Sequence, residues 1–185
     1  MMRNYILFDL EATCWEKPDQ KQSEIIEIGA VKLDASLQQT GTFSRFVRPT
    51  VHPALSEFCT ALTSITQKEV DAADPFAQAM EAFEQWIVSS SRDVLLISWG
   101  FYDKRQIQRE CAAKQYSGTI LQLLAGHVSL KHQFAEVRQI APCPMTKALE
   151  LLQLPLIGVH HRALDDAQNI ARIFRSIFPE LTLLT

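Results

Sequence analysis

The stretch YILFDLE, residues 5–11, decides the fold. Its apolar side chains predict a strand in the interior of a sheet, yet two carboxylates, Asp9 and Glu11, lie at its C-terminal end. Side chains of a strand alternate between its faces, so both acids are expected to point the same way. Neighbouring buried acids repel each other and lose hydration, and a divalent cation is the usual compensation. The alternative is that the strand ends by residue 9 and both acids are solvated.

The composition is that of an ordinary soluble protein, with 47% hydrophobic and 21% charged residues in a chain of 185. This length predicts a single domain over residues 1–185 with a full hydrophobic core. A net charge of -3 is not that of a strongly basic nucleic-acid binder. A polyanionic partner would therefore have to be held by local contacts or by metal.

The cysteines form no CxxC pair, so neither a zinc site nor a disulfide framework is predicted. Each is expected to be a small buried hydrophobe in a protein of a reducing compartment. The four are Cys14, Cys59, Cys111 and Cys143. The N-terminus is charged where a signal peptide would be apolar, and no apolar run reaches transmembrane length. We therefore expect a cytoplasmic protein without a membrane partner.

Hydrophobic periodicity predicts five strands, at residues 5–11, 24–33, 42–47, 94–98 and 128–130, with a hairpin turn at 38–41. The capping box TQKE, residues 66–69, predicts a short helix, and Asp74-Pro75 is expected to open a longer one with Pro75 as its first residue. Further helices are predicted at 102–114, 134–140, 145–152 and 160–178. A hairpin-linked set followed by alternating units favours an α/β domain with a mixed sheet.

Two more carboxylates are candidate metal ligands. Asp166 precedes Ile170, Ile173 and Ile177 at helical spacing, so it is expected to face inward, where the sequence offers no local partner. Asp103 begins a helix just beyond a buried strand, and the alternative there is an ordinary helix cap.

Two adjacent histidines, His160 and His161, precede Asp166. One of the pair is expected to be structural or merely exposed. The other, beside acids and metal, has an intrinsic pKa suited to taking a proton from water.

Three motifs carry a resemblance to a known family. DLE at 9–11, SWGFYD at 98–103 and HRALDD at 161–166 resemble, in order and spacing, the motifs of the DEDDh, or DnaQ-like, 3′→5′ exonucleases. The resemblance runs from about residue 4 to residue 178. Longer strings, including EIIEIGAV at 24–31 and FCTALTSIT at 58–66, resemble the subgroup that trims the 3′ ends of small and structured RNAs and its bacterial relatives.

Two departures from the family pattern are informative. Proofreading members usually carry Asn where this chain has Trp99, which favours the RNA-trimming subgroup. That subgroup often has glycine where this chain has Ser64, a change that affects the approach of a nucleic-acid backbone rather than the metal ligands.

The resemblance implies a ribonuclease H-like fold, a five-stranded mixed sheet with an antiparallel second strand, flanked by helices. It implies that two Mg²⁺ or Mn²⁺ ions are held by the four acids Asp9, Glu11, Asp103 and Asp166. His161 would be the general base, and nucleoside 5′-monophosphates would be released from single-stranded RNA or DNA 3′ ends or overhangs. All-oxygen ligation suits those hard ions, whereas the lack of a Cys/His cluster argues against zinc.

The family pattern also suggests substrate contacts. Backbone groups of Ala12 and Thr13 would lie near the terminal 3′ hydroxyl. The side chains expected to stack on the last bases or wedge between them are those of Trp15, Phe58, Leu62 and Thr63. For Phe58 and Leu62 the alternative is simple core packing.

Two other functions stay open at this point. One is a DNA exonuclease of repair or proofreading, since the motifs do not read the 2′-hydroxyl. The other is a regulatory binding protein that kept the fold and lost catalysis. A protein partner for targeting is also left open.

Overall fold

The computed structural model describes residues 3–17, 22–89, 91 and 93–181. Its centre is a mixed sheet of β1 (Asn4–Ala12), β2 (Ile25–Leu33), β3 (Gln39–Arg48), β4 (Asp74–Pro75), β5 (Val94–Ser98) and β6 (Val128–Ser129). The strand order is β4-β3-β2-β1-β5-β6. β2 runs antiparallel to both β1 and β3, whereas the β1–β5, β5–β6 and β3–β4 pairs are parallel. The predicted mixed sheet with an antiparallel second strand is confirmed.

The sheet has one strand more than the five predicted. The additional strand is β4, where Asp74 and Pro75 pair with Val47 and Arg48 of β3. Proline lacks the N–H that a central strand needs, which is compatible with this outermost position. The prediction that Pro75 is the first helical residue is wrong, because the helix begins at Phe76 and Pro75 is its N-cap.

Helices cover both faces of the sheet. They are α1 (Glu57–Thr63), α2 (Gln67–Asp71), α3 (Phe76–Val88), α4 (Tyr102–Ala113), α5 (Ile120–Leu123), α6 (Leu130–Arg138), α7 (Met145–Leu151) and α8 (Ala163–Ile177). Alternation along β1 separates two cores: Leu7 packs with α8 on one face, and Ile6 and Phe8 pack with α3 on the other. Both faces of β1 are therefore buried, as its continuous apolar run predicts.

Several element boundaries differ from the predictions. The turn before β3 lies earlier than residues 38–41, because the Asp34 carboxylate accepts the N–H groups of Ser36 and Gln38 and β3 begins at Gln39. Helix α6 begins at Leu130 rather than residue 134, and α8 begins at Ala163 rather than residue 160. Periodicity marks the buried centre of an element better than its ends.

The local signals around α1 and α2 are specific. The predicted capping box is confirmed, because Glu69 accepts the Thr66 N–H at 2.7 Å. Ser64 ends α1 in the left-handed conformation with φ 61°. Glycine adopts this conformation without strain, so serine costs about 1 kcal/mol at this position.

Among the residues that the structure describes, no helix is both long enough and apolar enough to cross a membrane.

Candidate active site

A cleft of about 740 Å³ opens where β1 and β5 end and α8 begins. It brings together all five residues predicted to carry the chemistry. The cleft is lined by, among others, Asp9, Glu11, Asp103, His161 and Asp166. These residues come from β1, α4, α8 and the turn before α8, and they are up to 157 positions apart, so only the tertiary fold makes them neighbours.

Asp9 and Glu11 lie on the same face of β1, as their spacing predicts. The strand continues to Ala12, so the alternative in which it ends by residue 9 is wrong. In the antiparallel register, Asp9 lies opposite Gly29 of β2 and Glu11 lies opposite Glu27. The two acids are thus held against β2, just beyond the point where the pairing of β1 with β5 ends at Leu7.

The start of α8 crosses β2 at Gly29, close beside Asp9. A β-carbon on Gly29 would lie 2.1 Å from the backbone carbon of Ala163 and from the nitrogen of Leu164. No side chain fits at that separation, so glycine is required for the close approach. This contact places Asp166, one turn into α8, next to the acids of β1.

A partly buried ion pair fixes the same helix end to the sheet. Arg162 donates to both carboxylate oxygens of Glu27 at 3.1 and 3.2 Å, and the Ala163 N–H donates to Glu27 at 3.0 Å. Glu27 is 1% exposed and therefore needs these donors. The carboxylate also satisfies an otherwise unpaired N–H in the first turn of α8.

Asp166 has local partners, contrary to the expectation from the sequence. Its carboxylate accepts the backbone N–H of His161 at 3.0 Å and lies 2.9 Å from Nδ1 of His160. His161 makes its bond from the left-handed conformation, with φ 66°. Such a φ is uncommon outside glycine and clusters at functional sites. The two imidazole rings stack with their centroids 3.9 Å apart.

The carboxylates of the cleft carry an unbalanced charge. Burial, then repulsion from Asp166, Glu27 and Asp103, raises the pKa of Glu11 to about 8. Burial and the charges of Asp103 and Glu11 raise the pKa of Asp9 well above its usual range.

Asp103 is held somewhat differently. Burial raises its pKa to about 6, although hydrogen bonds from the Ser98 hydroxyl and from backbone groups oppose the rise. Within the described ranges, neither Asp9, Glu11 nor Asp103 forms an ion pair with Lys or Arg.

The donor set fits a divalent cation. One oxygen each of Asp9, Glu11 and Asp166 can be chosen so that all three lie within 4.8 Å of one another. Carboxylate oxygens at this spacing suit Mg²⁺ or Mn²⁺. Asp103 lines the same cleft but lies outside this tightest group.

The predicted substrate contacts are placed away from the cleft lining. Thr13 and Thr63 are buried, and their hydroxyls accept the N–H groups of Glu24 and Ile65. Ala12 is also buried. The side chains of both threonines are therefore occupied inside the protein. Any contact made by residues 12 and 13 must use their backbone.

The exposed members of that set lie on the surface beyond Glu11. Phe58 and Leu62 of α1 are 41% and 37% exposed, so simple core packing does not describe them. Trp15 is half-buried and meets His52 edge to face, with ring centroids 5.2 Å apart. Phe58 and Leu62 are therefore accessible for stacking, whereas Trp15 is engaged with His52.

Several other residues that line the cleft were not predicted from the sequence. They include Tyr102, Arg105, Lys131 and His132. Tyr102 is aromatic and yet 54% exposed. Its position next to Asp103 within the motif SWGFYD could have indicated that it lines the cleft. His160 was treated as the lesser of two histidines, whereas it contacts Asp166 directly.

Together, the strand order and the cleft at the end of β1 define a protein of the ribonuclease H-like class of folds. Residues 6–174 match the family described as RNase_T, Exonuclease, and the chain belongs to that exonuclease family.

Individual relatives agree with this placement. The chain is 35% identical over 178 residues to 3′-5′ exoribonuclease 1 of Rattus norvegicus, covering 90% of this chain and 50% of that protein. It is 31% identical over 188 residues to 3′-5′ exonuclease Snipper of Drosophila melanogaster, covering 91% of this chain and 66% of that one. The chain thus spans only half to two thirds of these relatives' lengths.

A solved structure shows the same fold. The nuclease domain of 3′hExo, a DEDDh family member, bound to rAMP, superposes with a TM-score of 0.87 at 28% identity. The match covers 96% of this chain and 92% of that one. The resemblance read from the three motifs is confirmed.

Proposed function

We propose that this chain is a divalent-metal-dependent 3′→5′ exonuclease that degrades RNA from single-stranded 3′ ends or overhangs to nucleoside 5′-monophosphates. The observation that carries the proposal is the convergence of Asp9, Glu11, Asp103, Asp166 and His161 in one cleft. The names of the relatives, 3′-5′ exoribonuclease 1 among them, favour RNA over DNA.

The carboxylates would hold the ions. Asp9, Glu11 and Asp166 offer converging oxygens, and Asp103 supplies a fourth acid from α4 in the same cleft. Two Mg²⁺ or Mn²⁺ ions, when bound, would activate water and stabilise the leaving 3′ oxygen. The acids themselves orient this site, because β1 and the first turn of α8 fix them on rigid elements.

His161 would be the general base. Its ring is half-buried, and burial together with the neighbouring His160 lowers its pKa, an effect that Asp166 only partly opposes. The imidazole is therefore neutral at pH 7 and can accept a proton from a water molecule in the cleft. The hydrogen bond from its backbone N–H to Asp166 holds the residue in place.

Cations should also be needed for substrate binding. Four acids repel phosphate until positive charge fills the site, and the chain as a whole is acidic. We expect a chelator to weaken binding of a short single strand as well as its turnover. Equal affinity with and without chelator would contradict this view of the site.

The decisive experiment incubates end-labelled RNA and DNA oligonucleotides of one sequence with the protein, with Mn²⁺ and with EDTA. We expect stepwise shortening of the RNA from its 3′ end with Mn²⁺ and none with EDTA. Faster shortening of DNA would favour a repair or proofreading enzyme, and no shortening of either would favour a catalytically idle binding protein.

An Asp103→Ala variant tests the site itself. We expect hydrolysis to be lost while the circular dichroism spectrum is retained, because the change removes a repelled charge rather than an apolar contact. Retention of the wild-type rate would contradict the site assignment. The single domain over residues 1–185, the cytoplasmic location and a targeting partner stay predictions.

A further inference from the structure

A second group of potential ligands overlaps the oxygen site. His160, His161 and Asp166 each offer one ligand atom, and these atoms lie within 4.8 Å of one another. The proposed hydrolysis uses Asp166 and His161 but gives His160 no role. All three side chains line the cleft, so an ion can reach them from solvent.

One pair of this group already has nearly the spacing of two ligands on a bound metal. Bonds of about 2.0–2.1 Å to a tetrahedral ion separate its ligand atoms by roughly 3.3 Å. Nδ1 of His160 already lies 2.9 and 3.0 Å from the two oxygens of Asp166. An opening of a few tenths of an ångström would admit an ion between them.

The backbone supports the same arrangement. The left-handed φ of 66° at His161 turns the chain so that adjacent residues place their rings side by side, with centroids 3.9 Å apart and 24° between the ring planes. Consecutive residues in extended backbone would instead point to opposite sides. Lone pairs of imidazole lie in the ring plane, so binding one ion through both rings requires one ring to rotate about its side-chain torsions. Asp166 is 4% exposed and fixed by the His161 N–H, so it provides a rigid third ligand.

The chemistry of the group differs from that of the acids on β1. Imidazole nitrogen suits zinc and other borderline transition metals, whereas carboxylate oxygen suits Mg²⁺ and Mn²⁺. Two histidines with one carboxylate form a three-ligand set that leaves a fourth position open to water. The sequence shows no Cys/His cluster, which argued against zinc, but the fold supplies a His-His-Asp cluster.

We propose that His160, His161 and Asp166 form a zinc-binding site that overlaps the proposed Mg²⁺ or Mn²⁺ site. Bound zinc would occupy the lone pair of His161 and share Asp166, so it would inhibit hydrolysis rather than support it. The binding claim stands independently, whereas the inhibition claim rests on the proposed function.

Binding is tested by titrating ZnCl₂ into the metal-stripped full chain in a calorimeter. We expect the His160→Ala variant to bind zinc at least tenfold more weakly than the wild type. His132→Ala is the matched control, because His132 lines the same cleft but lies next to Ser129 instead of Asp166. It should keep the wild-type affinity. Equal zinc affinity in His160→Ala and wild type would overturn the proposal.

X-ray absorption at the zinc edge identifies the ligands directly in the wild-type chain with one equivalent of zinc. This measurement does not depend on the folding of a variant. Two imidazole nitrogens among nitrogen and oxygen neighbours are expected. A sulfur neighbour would place the ion on a cysteine, and oxygen neighbours alone would place it on the β1 acids. Either result would overturn the proposal.

Inhibition is measured separately, as the zinc concentration that halves each variant's own Mg²⁺-supported rate. His160→Ala should need at least ten times more zinc than wild type, and His132→Ala should not. A chain that hydrolyses no nucleic acid yet binds zinc through His160 would refute the proposed function and leave the zinc site standing. A chain that hydrolyses RNA, with zinc inhibition indifferent to His160, would overturn the inhibition claim and leave the proposed function standing.

Discussion

The fold shifts the pKa values of two buried glutamates, Glu24 and Glu11, in opposite directions. These residues are 2% and 8% exposed, and burial by itself raises the pKa of each. At Glu24, N–H groups of residues 50–52 and the Lys114 ammonium outweigh burial and lower the pKa to about 2. At Glu11, other acids add to burial, and the pKa rises to about 8.

Hydrogen-bond donors and nearby charges, rather than burial alone, therefore decide whether the pKa of a buried carboxylate is raised or lowered. Glu24 accepts hydrogen bonds from the backbone N–H groups of Thr50, Val51 and His52. It also forms an ion pair with Lys114 at 2.9 Å. Glu24 thereby connects the start of β2 with the loop after β3 and the end of α4. The cleft acids have no cation of this kind among the described residues, and this charge deficit is what a metal ion would fill.

The largest effect is expected from Asp9→Asn. Removing one proposed ligand should lower the rate of RNA hydrolysis at least about a thousandfold. The same change removes a repelled charge, so the metal-free protein should gain about 1 kcal/mol of stability. Single-turnover rates and urea unfolding with EDTA measure the two effects. A metal-free variant less stable than wild type would show that the cleft charge is already balanced.

Gly29→Ala should separate the acids without changing any charge. Its β-carbon would overlap the backbone of Ala163, and forcing α8 away should cost about 3 kcal/mol. Asp166 would move from Asp9 and Glu11, so Mg²⁺ should raise the melting temperature less than in wild type. Gly126→Ala is the control, since nothing lies within 4 Å of a β-carbon there. Equal losses in both variants would contradict the close approach of α8.

Glu24→Gln should destabilise the protein, the opposite of Asp9→Asn. A pKa lowered from 4.5 to about 2 means that ionised Glu24 stabilises the fold at pH 7, by about 2–3 kcal/mol. This contribution is complete above pH 4.5 and disappears as the pH falls towards 2. Urea unfolding at pH 7 and pH 3 should therefore show a variant–wild-type difference that shrinks at the lower pH. A constant difference would mean that lost packing, not charge, is responsible.

The smallest effect concerns pH and cations together. Because the pKa of Glu11 is raised, the stability of the metal-free protein should fall as the pH rises from about 4.5 through 8. Added Mg²⁺ removes the repulsion, so it should stabilise the protein by about 1 kcal/mol more at pH 8 than at pH 6. Melting curves with Mg²⁺ or EDTA measure this. Glu11→Gln should reduce the difference, whereas Glu24→Gln should preserve it.

Much of the site could be predicted because its signals are local. The spacing of Asp9 and Glu11 on a strand, and of Asp166 on an amphipathic helix, fixes which way each side chain points. The role of Pro75 could not be predicted in this way, since it pairs with Arg48 of β3, 27 residues earlier in the chain. The contact of His160 with Asp166 was likewise not predicted, because the residue pattern does not reveal the left-handed φ of the neighbouring His161.

The sequence by itself determined five of the six described strands, the longer amphipathic helices and the identity of the acids, because these follow from periodicity and residue chemistry over short distances. Only the tertiary structure decided that Gly29 lets α8 approach β2, that Glu27 clamps Arg162, and that two histidines converge on Asp166. The physical reason is that each of these contacts depends on backbone geometry or on residues far apart in the chain. Such contacts are settled by packing the elements together rather than by the preferences of any one of them.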